Sequence, residues 1–232
     1  MTNFAIKPPP QPSLPITGSD ARFPVRRVYC VGRNFADHAI EMGHDPTREH
    51  PFFFQKNPDN LISDGTFPYP PLSGDVHHEV ELYIALSQGG SDIPVETASA
   101  CIFGAGIAID MTRRDLQSEA KKKGRPWTMG KAFENSAPAG PAHPGAPPDA
   151  GEIALSIDGD PRQSGDLNQM IWKPAEIIAE LSRFVTLAAG DVILTGTPAG
   201  VGPIERGQTI RAENAGLEPH EKRVTKGVEF RP

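Results

Sequence analysis

The sequence predicts a β-rich α+β fold, on three observations. Short apolar runs typical of strands recur along the chain, in residues 26–32, 77–90 and 105–112. Glycine and proline are frequent, with 23 and 25 among 232 residues, and both interrupt long helices and favour turns. Strand and helix patterns also lack the regular alternation of a doubly wound sheet. Together these features indicate many short strands and a few short helices.

The first half of the chain carries strand, helix and turn signals in close succession. Residues 1–20 are rich in proline and predict an extended N-terminal arm, which precedes a single domain over residues 21–232. The following segments predict, in order, a strand over 26–32, a helix over 34–43 that Asn34 caps and Gly43 ends, an aromatic strand and turn over 51–60, a loop over 64–75 and a strand over 77–90.

The second half contains a hairpin signal and an amphipathic helix. The Asp158-Gly159 pair predicts a turn within a hairpin over 151–166. The remaining segments predict helical spacing over 94–104, a strand over 105–112, a polar helix over 113–124, a helix over 173–187 with a buried stripe of Ile177, Ile178, Leu181 and Phe184, and a strand running into a glycine-rich loop over 190–202. The residues after Gly207 are polar and carry no clear signal.

Composition excludes several classes of function. The formal net charge is -6, and no basic face of the kind that binds nucleic acid is evident, since the Lys121–Lys123 run indicates a solvated face. The two cysteines, Cys30 and Cys101, are far apart and predict neither a disulfide framework nor a CxxC site. The start lacks the pattern of a secretory signal, and no apolar run is long enough to span a bilayer. We therefore expect a cytoplasmic protein with a small-molecule partner.

Two acids lie close together in the strand HHEVELYIAL, residues 77–86. Side chains two residues apart on a strand point to the same face, so Glu79 and Glu81 are neighbours. Neighbouring carboxylates repel each other unless one is protonated or a cation lies between them. The pair therefore indicates either a solvent-facing strand edge or part of a metal site.

A third acid favours the metal site. Asp110 lies in the apolar stretch GAGIAIDMT, where an unpaired acid is costly if it is buried. Three carboxylates supply the oxygen ligands that Mg²⁺, Mn²⁺ or Ca²⁺ prefers. A structural zinc site is disfavoured, because the sequence has no cluster of cysteine or histidine ligands.

Further polar residues carry weaker signals on their own. His38 and Glu41 lie three residues apart on the predicted helix and share one face, as a general base and its orienting acid would. An exposed polar face explains the same spacing. Lys131 in MGKAF can be any surface lysine, and the loop TGTPAGVG, which contains Thr197, lacks the Lys-Ser/Thr of a phosphate-binding loop. A nucleotide site is therefore disfavoured.

Taken in order, six segments resemble the fumarylacetoacetate hydrolase family. They span about residues 26–202, which is most of the chain, and read YCVGRNFADHAIEMG, PFFFQKNPDN, HHEVELYIAL, GAGIAIDMTRRDLQ, GKAFENSAPAGP and GDVILTGTPAGVG. The Glu-x-Glu, the following Asp and the Thr-Gly-Thr-Pro loop are specific in combination. One departure is the tail, where AGLEP replaces an expected glycine-rich turn, so the last strand is expected to be altered or frayed.

The resemblance implies a fold, a metal and a set of roles. The fold is a rolled mixed β-sheet with short peripheral helices, usually in a homodimer. Glu79, Glu81 and Asp110 hold a divalent metal, Mg²⁺ or Mn²⁺ with Ca²⁺ as an alternative. The remaining roles are His38 with Glu41 as a water-activating pair, Lys131 as a catalytic lysine near the metal, and Gln117 and Thr197 as substrate-binding residues.

The implied activity is hydrolysis of a carbon–carbon bond in an acylpyruvate, a 2,4-diketo acid. Within the family, the segments favour cleavage of 3-fumarylpyruvate to fumarate and pyruvate, a late step of gentisate breakdown. Arg33 and Arg114 are candidates for binding the remote carboxylate, since guanidinium groups match carboxylates, although structural ion pairs explain them equally well. Alternatives are acetylpyruvate hydrolysis, oxaloacetate decarboxylation or diketo-acid isomerisation at the same site, and a non-catalytic cation-binding β domain.

Overall fold

The structure is a computed structural model that describes residues 3–41, 49–214 and 216–227, with the side chains of residues 38 and 39 left out. The described strands are β1 (Ser13–Ile16), β2 (Ser19–Pro24), β3 (Arg27–Gly32), β4 (Phe52–Lys56), β5 (Leu61–Ile62), β6 (Thr66–Pro68), β7 (Val76–His78), β8 (Val80–Leu86), β9 (Ile102–Ile109), β10 (Thr112–Arg113), β11 (Ala137–Pro138), β12 (His143–Pro144), β13 (Glu152–Ile157), β14 (Asp160–Asp166), β15 (Asp191–Leu194), β16 (Gly202–Pro203), β17 (Thr209–Asn214) and β18 (His220–Thr225).

The helices are few and short in the described part of the chain. They are α1 (Ala36–Glu41), α2 (Val95–Ala98), α3 (Arg114–Lys122), α4 (Thr128–Lys131) and α5 (Pro174–Ser182), with 3-10 turns at Pro58–Asn60, Ser99–Cys101 and Leu167–Gln169. The predicted β-rich α+β class is confirmed. No helix in the described ranges has both the length and the apolar character needed to cross a bilayer.

The largest sheet has six strands in the order β12-β9-β8-β15-β3-β4. It is mixed, since β15 runs parallel to β3 and antiparallel to β8. All seven residues of β8 are buried. A strand covered on both faces favours a continuous apolar run, and VELYIAL has this pattern after its single acid.

Two hydrophobic cores cover the two faces of this sheet. Val80, Leu82, Ile84 and Leu86 of β8 pack in one core with residues from a second sheet, of order β14-β13-β17-β18-β6. Tyr83 and Ala85, on the opposite face of β8, pack in the other core together with Leu14 of the β1–β2 hairpin. Because Glu79 and Glu81 share the face of Tyr83, the acids point away from the larger core.

Several predicted elements are confirmed. The Asp158-Gly159 turn joins β13 to β14, which pair antiparallel. The polar helix predicted over 113–124 is α3, and Pro174 begins α5. The predicted buried stripe of α5 is confirmed for Ile177, Ile178 and Leu181, which are buried. Phe184 is 73% exposed, because α5 ends at Ser182 and the helical period does not reach it.

The structure corrects three further predictions. Asn34 does not cap α1: its amide instead donates to the carbonyls of Trp172 and Thr195, and its Oδ1 accepts from the Trp172 amide. The arm predicted over 1–20 overlaps the β1–β2 hairpin, in which Leu14 is buried. The loop predicted over 64–75 contains β6. Gly43, the predicted end of the helix, lies outside the described residues.

The predicted fraying of the last strand is wrong for the described residues. β18 lies between β17 and β6, pairing antiparallel with the first and parallel with the second. His220, Lys222 and Val224 are buried and alternate with exposed residues. The period of two is regular, but polarity hides it because a histidine and a lysine occupy buried positions.

Candidate active site and metal centre

The strand register brings Glu79 opposite Asp110. Glu79 fills the one-residue interval between β7 and β8, and Asp110 follows β9 directly. The strands β8 and β9 pair antiparallel, with Val80 opposite Ile109. One step beyond this pair, the Asp110 amide donates to the Glu79 carbonyl at 2.8 Å. Glu81, two residues along β8, lies on the same face as Glu79. The pairing of two strands thus assembles all three predicted acids.

The three acids form one buried cluster. Carboxylate oxygens of Glu79, Glu81 and Asp110 lie within 4.8 Å of one another. Their exposed fractions are 6%, 2% and 0%. This burial rules out the solvent-facing strand edge that the sequence left open, and three buried acids this close need cations to balance them.

Two lysines and an arginine meet two of these acids. Lys131, the last residue of α4, places its ammonium 2.9 Å from Glu79 Oε2 and 2.7 Å from Asp110 Oδ2, and it donates to the Thr112 hydroxyl. Lys56 lies 2.8 Å from Asp110 Oδ1, and Arg114 bonds to Glu79 Oε1. Burial works against the charged form of Lys131, but Asp110 and Glu79 outweigh it and raise its pKa.

Glu81 has a different environment. Its Oε2 accepts a hydrogen bond from the Gly196 amide at 2.6 Å, and within the described ranges no lysine or arginine nitrogen is paired with it. Burial, together with the charges of Asp110 and Glu79, raises its pKa well above the ordinary value. Glu81 is therefore the acid of the cluster that most needs a further cation.

The loop after β15 closes the site on one side. Gly196 has φ of 99°, and a Cβ there would lie 2.7 Å from the Asn34 Cβ, so only glycine brings its amide to Glu81. Thr197 is buried, and its hydroxyl accepts from Gln163 Nε2 at 2.8 Å. Both residues lie in the loop that the sequence singled out.

Gln163 and Lys56 are site residues that the sequence did not single out. Gln163 comes from β14 of the second sheet, is 1% exposed, and also accepts from the Val80 amide and pairs with His78 Nδ1. Lys56 comes from the edge strand β4. Gln163 lies in none of the six family segments, and Lys56 lies in PFFFQKNPDN but was given no role there. Only the tertiary fold brings both side chains to the acids.

Four further side chains surround the opening of the site. Arg114 Nη1 donates to Gln117 Oε1 at 2.7 Å, and Gln117 is buried. The Arg33 guanidinium lies 5.3 Å from the centre of the Phe52 ring, and the Lys121 ammonium lies 4.9 Å from the Trp127 ring. The Lys121–Lys123 run is exposed as predicted, but its first residue lines the site.

The structure places only one of the two side chains proposed as the general base and its orienting acid. The Glu41 carboxylate accepts from the Gly200 amide at 3.1 Å, which connects the end of α1 to the glycine-rich loop. The backbone of His38 lies within α1, but its side chain is outside the described residues. Its role as a base stays a prediction.

The acids line a small cavity of about 40 Å³. Its lining also includes Arg33, Gln117, Lys121 and Thr197. A much larger cavity, of about 880 Å³, lies behind the shared wall of Phe52, Phe54 and Trp127 and has no acidic residue in its described lining. We place the chemistry in the smaller cavity, because the titratable cluster is there.

The residues present fit a divalent metal. All three acids supply hard oxygen donors, which suit Mg²⁺, Mn²⁺ or Ca²⁺. Glu81 is a buried acid whose described contacts include no paired cation, and a bound metal ion would offset the repulsion within the cluster. Glu79, Glu81 and Asp110 can therefore hold a divalent cation.

Comparison with known proteins finds a matching family model and a similar solved structure. The family model described as "Fumarylacetoacetate (FAA) hydrolase C-terminal" matches residues 27–225. The solved fumarylpyruvate hydrolase from Pseudomonas aeruginosa, in complex with Mn²⁺ and pyruvate, is 47% identical with a TM-score of 0.93, and the match covers 96% of this chain and 99% of that one.

Curated relatives carry other activities in their names. The mitochondrial oxaloacetate decarboxylase of Dictyostelium discoideum is 42% identical, over 83% of this chain and 90% of its own length. The oxaloacetate tautomerase YcgM of Escherichia coli is also 42% identical, over 81% of this chain and 88% of its own length. With the family model matching most of the sequence, this chain belongs to the fumarylacetoacetate hydrolase family.

Proposed function

We propose that the protein is a divalent-metal-dependent enzyme acting on short 2-oxo acids, with the keto–enol interconversion of oxaloacetate as its main reaction and loss of CO₂ as a side reaction. The observation that carries the proposal is the cluster of three buried acids with the Lys131 ammonium bonded to two of them. Curated relatives with oxaloacetate tautomerase or decarboxylase activity support the choice of substrate.

The chemistry follows from the substrate class. A 2-oxo acid presents a carboxylate beside a keto oxygen, and a metal held by Glu79, Glu81 and Asp110 would supply a Lewis acid for both. Enolisation and loss of CO₂ both build negative charge on the keto oxygen. Lys131 stays charged because of its acidic neighbours, and a fixed charge beside the developing enolate stabilises it.

Other residues would orient the substrate. Thr197, whose hydroxyl is held by Gln163, is the proposed contact for the carboxylate next to the keto group. Arg114 and Gln117 are bonded to each other and are proposed to line the bound acid. His38, with Glu41, is the proposed base that moves a proton between carbon and water.

A second candidate is the hydrolysis of an acylpyruvate, with 3-fumarylpyruvate as the main substrate. It is favoured by the solved fumarylpyruvate hydrolase, which binds Mn²⁺ and pyruvate. His38 would take a proton from water, and the hydroxide would attack the distal carbonyl. The carbon–carbon bond then breaks, and the pyruvate enolate takes up a proton. A role in gentisate breakdown would belong to this reaction.

A substrate panel tests the proposal. The purified protein is stripped of metal, reloaded with Mg²⁺, Mn²⁺ or Ca²⁺, and assayed with oxaloacetate, fumarylpyruvate and acetylpyruvate. We expect turnover that disappears on chelation and returns with Mg²⁺ or Mn²⁺. Unchanged activity after chelation would contradict the metal role, and metal-dependent stability without turnover would indicate a cation-binding domain.

His38→Ala tests the base that is proposed for both candidates. If the base is His38, this variant loses both the keto–enol interconversion of oxaloacetate and the hydrolysis of fumarylpyruvate, and it keeps the metal-dependent decarboxylation of oxaloacetate, which needs no proton transfer from carbon and no attacking water. Full hydrolytic turnover in His38→Ala would contradict its role as base.

A homodimer in the cytoplasm stays our prediction for the assembled protein, and light scattering tests the dimer.

A further inference from the structure

Among the described residues around the metal site, cations outnumber acids. Inside, Glu79 and Asp110 pair with three cations, namely Lys56, Lys131 and Arg114, while Glu81 pairs with none of them. Arg33 and Lys121 line the same cavity in addition. The site is therefore cationic at its rim, and a bound divalent metal would add to this excess.

Neither rim cation has an acidic partner in the described part of the chain. The Arg33 guanidinium faces the ring of Phe52 and the Lys121 ammonium faces the ring of Trp127, at 5.3 and 4.9 Å from the ring centres. The Phe52 and Trp127 rings meet edge to face, 5.5 Å apart. An aromatic wall thus supports both cations and leaves their hydrogen-bond donors for a ligand.

The position of Arg33 is fixed by its neighbours. Gly32 ends β3, and a Cβ there would lie 1.9 Å from the Phe52 ring, so the ring packs directly on the backbone. Arg33 then takes a left-handed conformation, with φ of 58°, which is uncommon for residues other than glycine. The close packing of Phe52 and this turn hold Arg33 at the cavity.

Lys121 is close to the other charges of the site. Its ammonium, over Trp127, is partly shielded from water although the side chain as a whole is exposed. This partial burial lowers its pKa, and the charges of Arg114 and Arg33 lower it further, while the charge of Glu79 offsets them only in part. An anion bound between these groups would relieve the repulsion among them.

We propose that Lys121, together with Arg33, binds a second carboxylate on the substrate and makes the enzyme selective for dicarboxylic 2-oxo acids over monocarboxylic ones. This inference rests on the proposed function. Arg114 is bonded to Glu79 and Gln117, which leaves the rim pair better placed for the remote group. Lys121 is then a specificity residue.

Holding this carboxylate has a consequence for oxaloacetate. When that acid loses CO₂, its second carboxylate leaves as a neutral molecule, so an ion pair with Lys121 must be broken on the way to the transition state. Keto–enol interconversion keeps the carboxylate and the ion pair. The rim therefore favours interconversion over decarboxylation, because only interactions kept in the transition state accelerate a reaction.

The test compares Lys121→Gln with the full-length wild type, both loaded with Mn²⁺. Oxaloacetate carries two carboxylates, while acetylpyruvate carries one and is measured as a substrate or as a competitive inhibitor. We expect kcat/KM for oxaloacetate to fall about 10-fold to 100-fold, the effect of losing one charge-assisted hydrogen bond, and the value for acetylpyruvate to change less than about twofold. The ratio of pyruvate release to interconversion should rise.

Two control variants separate charge from structure. Lys122→Gln removes the neighbouring exposed lysine, which does not line the cavity, and should behave as wild type. Lys121→Arg keeps the charge and should retain most of the preference for oxaloacetate. Equal losses on both compounds, or no loss on either, would overturn the inference while leaving the proposed function intact. A wild type that turns over neither oxaloacetate nor any acylpyruvate would overturn both.

Discussion

The backbone amide of Asp110 donates a 2.8 Å hydrogen bond to the carbonyl oxygen of Glu79. This bond continues the β8–β9 ladder one step beyond the strands, and it sets the side chains of the two acids together. A slip of one residue would turn one strand's acids to the opposite face. The metal site is thus a product of strand register, and the apolar faces of β8 that fix the register also fix the site.

Glu81→Gln should separate metal binding from folding. The change keeps the shape of the side chain and an oxygen for the Gly196 amide, and it removes a charge that Asp110 and Glu79 repel. We expect Mn²⁺ affinity to fall by about 100-fold or more, beyond the usual effect of losing a supporting contact, while the metal-free protein becomes more stable at pH 7. Calorimetric titration and thermal unfolding measure the two effects. Glu96→Gln, at an exposed position of α2, is the control and should change neither.

Lys131→Met should destabilise the metal-free protein. It leaves Glu79 and Asp110 buried without the ammonium that contacts both, and breaking a buried ion pair in this way costs about 3–5 kcal/mol. Mn²⁺ should recover part of this loss and bind at least as tightly as to wild type, while turnover falls by about 100-fold. Denaturant unfolding with and without Mn²⁺ measures the effect. Wild-type turnover in this variant would remove Lys131 from catalysis.

Gln163→Ala should weaken substrate binding through Thr197. Gln163 is the only described side chain that donates to the Thr197 hydroxyl, and it also bonds to the Val80 amide. We expect KM to rise and stability to fall by about 2 kcal/mol, the usual cost of leaving buried polar groups unpaired. Ser164→Ala changes the adjacent, exposed residue and is the matched control. An unchanged KM in Gln163→Ala would show that Thr197 does not need this support.

Lys222→Met should stabilise the protein near neutral pH. Lys222 is fully buried, its ammonium has no hydrogen-bond partner in the described ranges, and the Asp64 carboxylate lies 4.0 Å away. Replacing the charge with an apolar chain of similar length should add about 2 kcal/mol to the free energy of unfolding. Lys226→Met, at an exposed position of the same segment, should have little effect.

The advantage of Lys222→Met should also depend on pH. Burial lowers the pKa of Lys222 to about 8, below its ordinary value in the unfolded chain. Above pH 8 the folded state releases a proton that the unfolded state keeps, so wild-type stability rises with pH in this window. The difference between variant and wild type should therefore shrink from pH 8 towards pH 10. A constant difference across this range would contradict the lowered pKa.

Local patterns in the sequence predicted the parts of the site that lie on one strand or one loop. Glu79 and Glu81 follow from the period of two along a strand, and Asp110 stands out as an acid in an apolar run. Lys56 and Gln163 could not be found in this way, since one comes from an edge strand and the other from a second sheet. Their roles depend on which strands are neighbours, and spacing along the chain carries no signal for that.

For the fold as well, local sequence patterns predicted some elements, and others depend on tertiary packing. The Asp158-Gly159 turn and the start of α5 at Pro174 follow from local backbone preferences, and both were predicted. The strand β18 was not, because Lys222 and His220 occupy its buried positions and hide the apolar alternation. Phe184 was misplaced because a helical period was extended past the residue where the helix ends.

Anomalous diffraction at the manganese edge, from crystals soaked with Mn²⁺ and pyruvate, tests the central claim most directly. One peak per chain should lie within bonding distance of carboxylate oxygens of Glu79, Glu81 and Asp110. The same soak of Glu81→Gln crystals should give a much weaker peak. A wild-type peak elsewhere, or none at these three acids at saturating Mn²⁺, would contradict the assignment of the metal site.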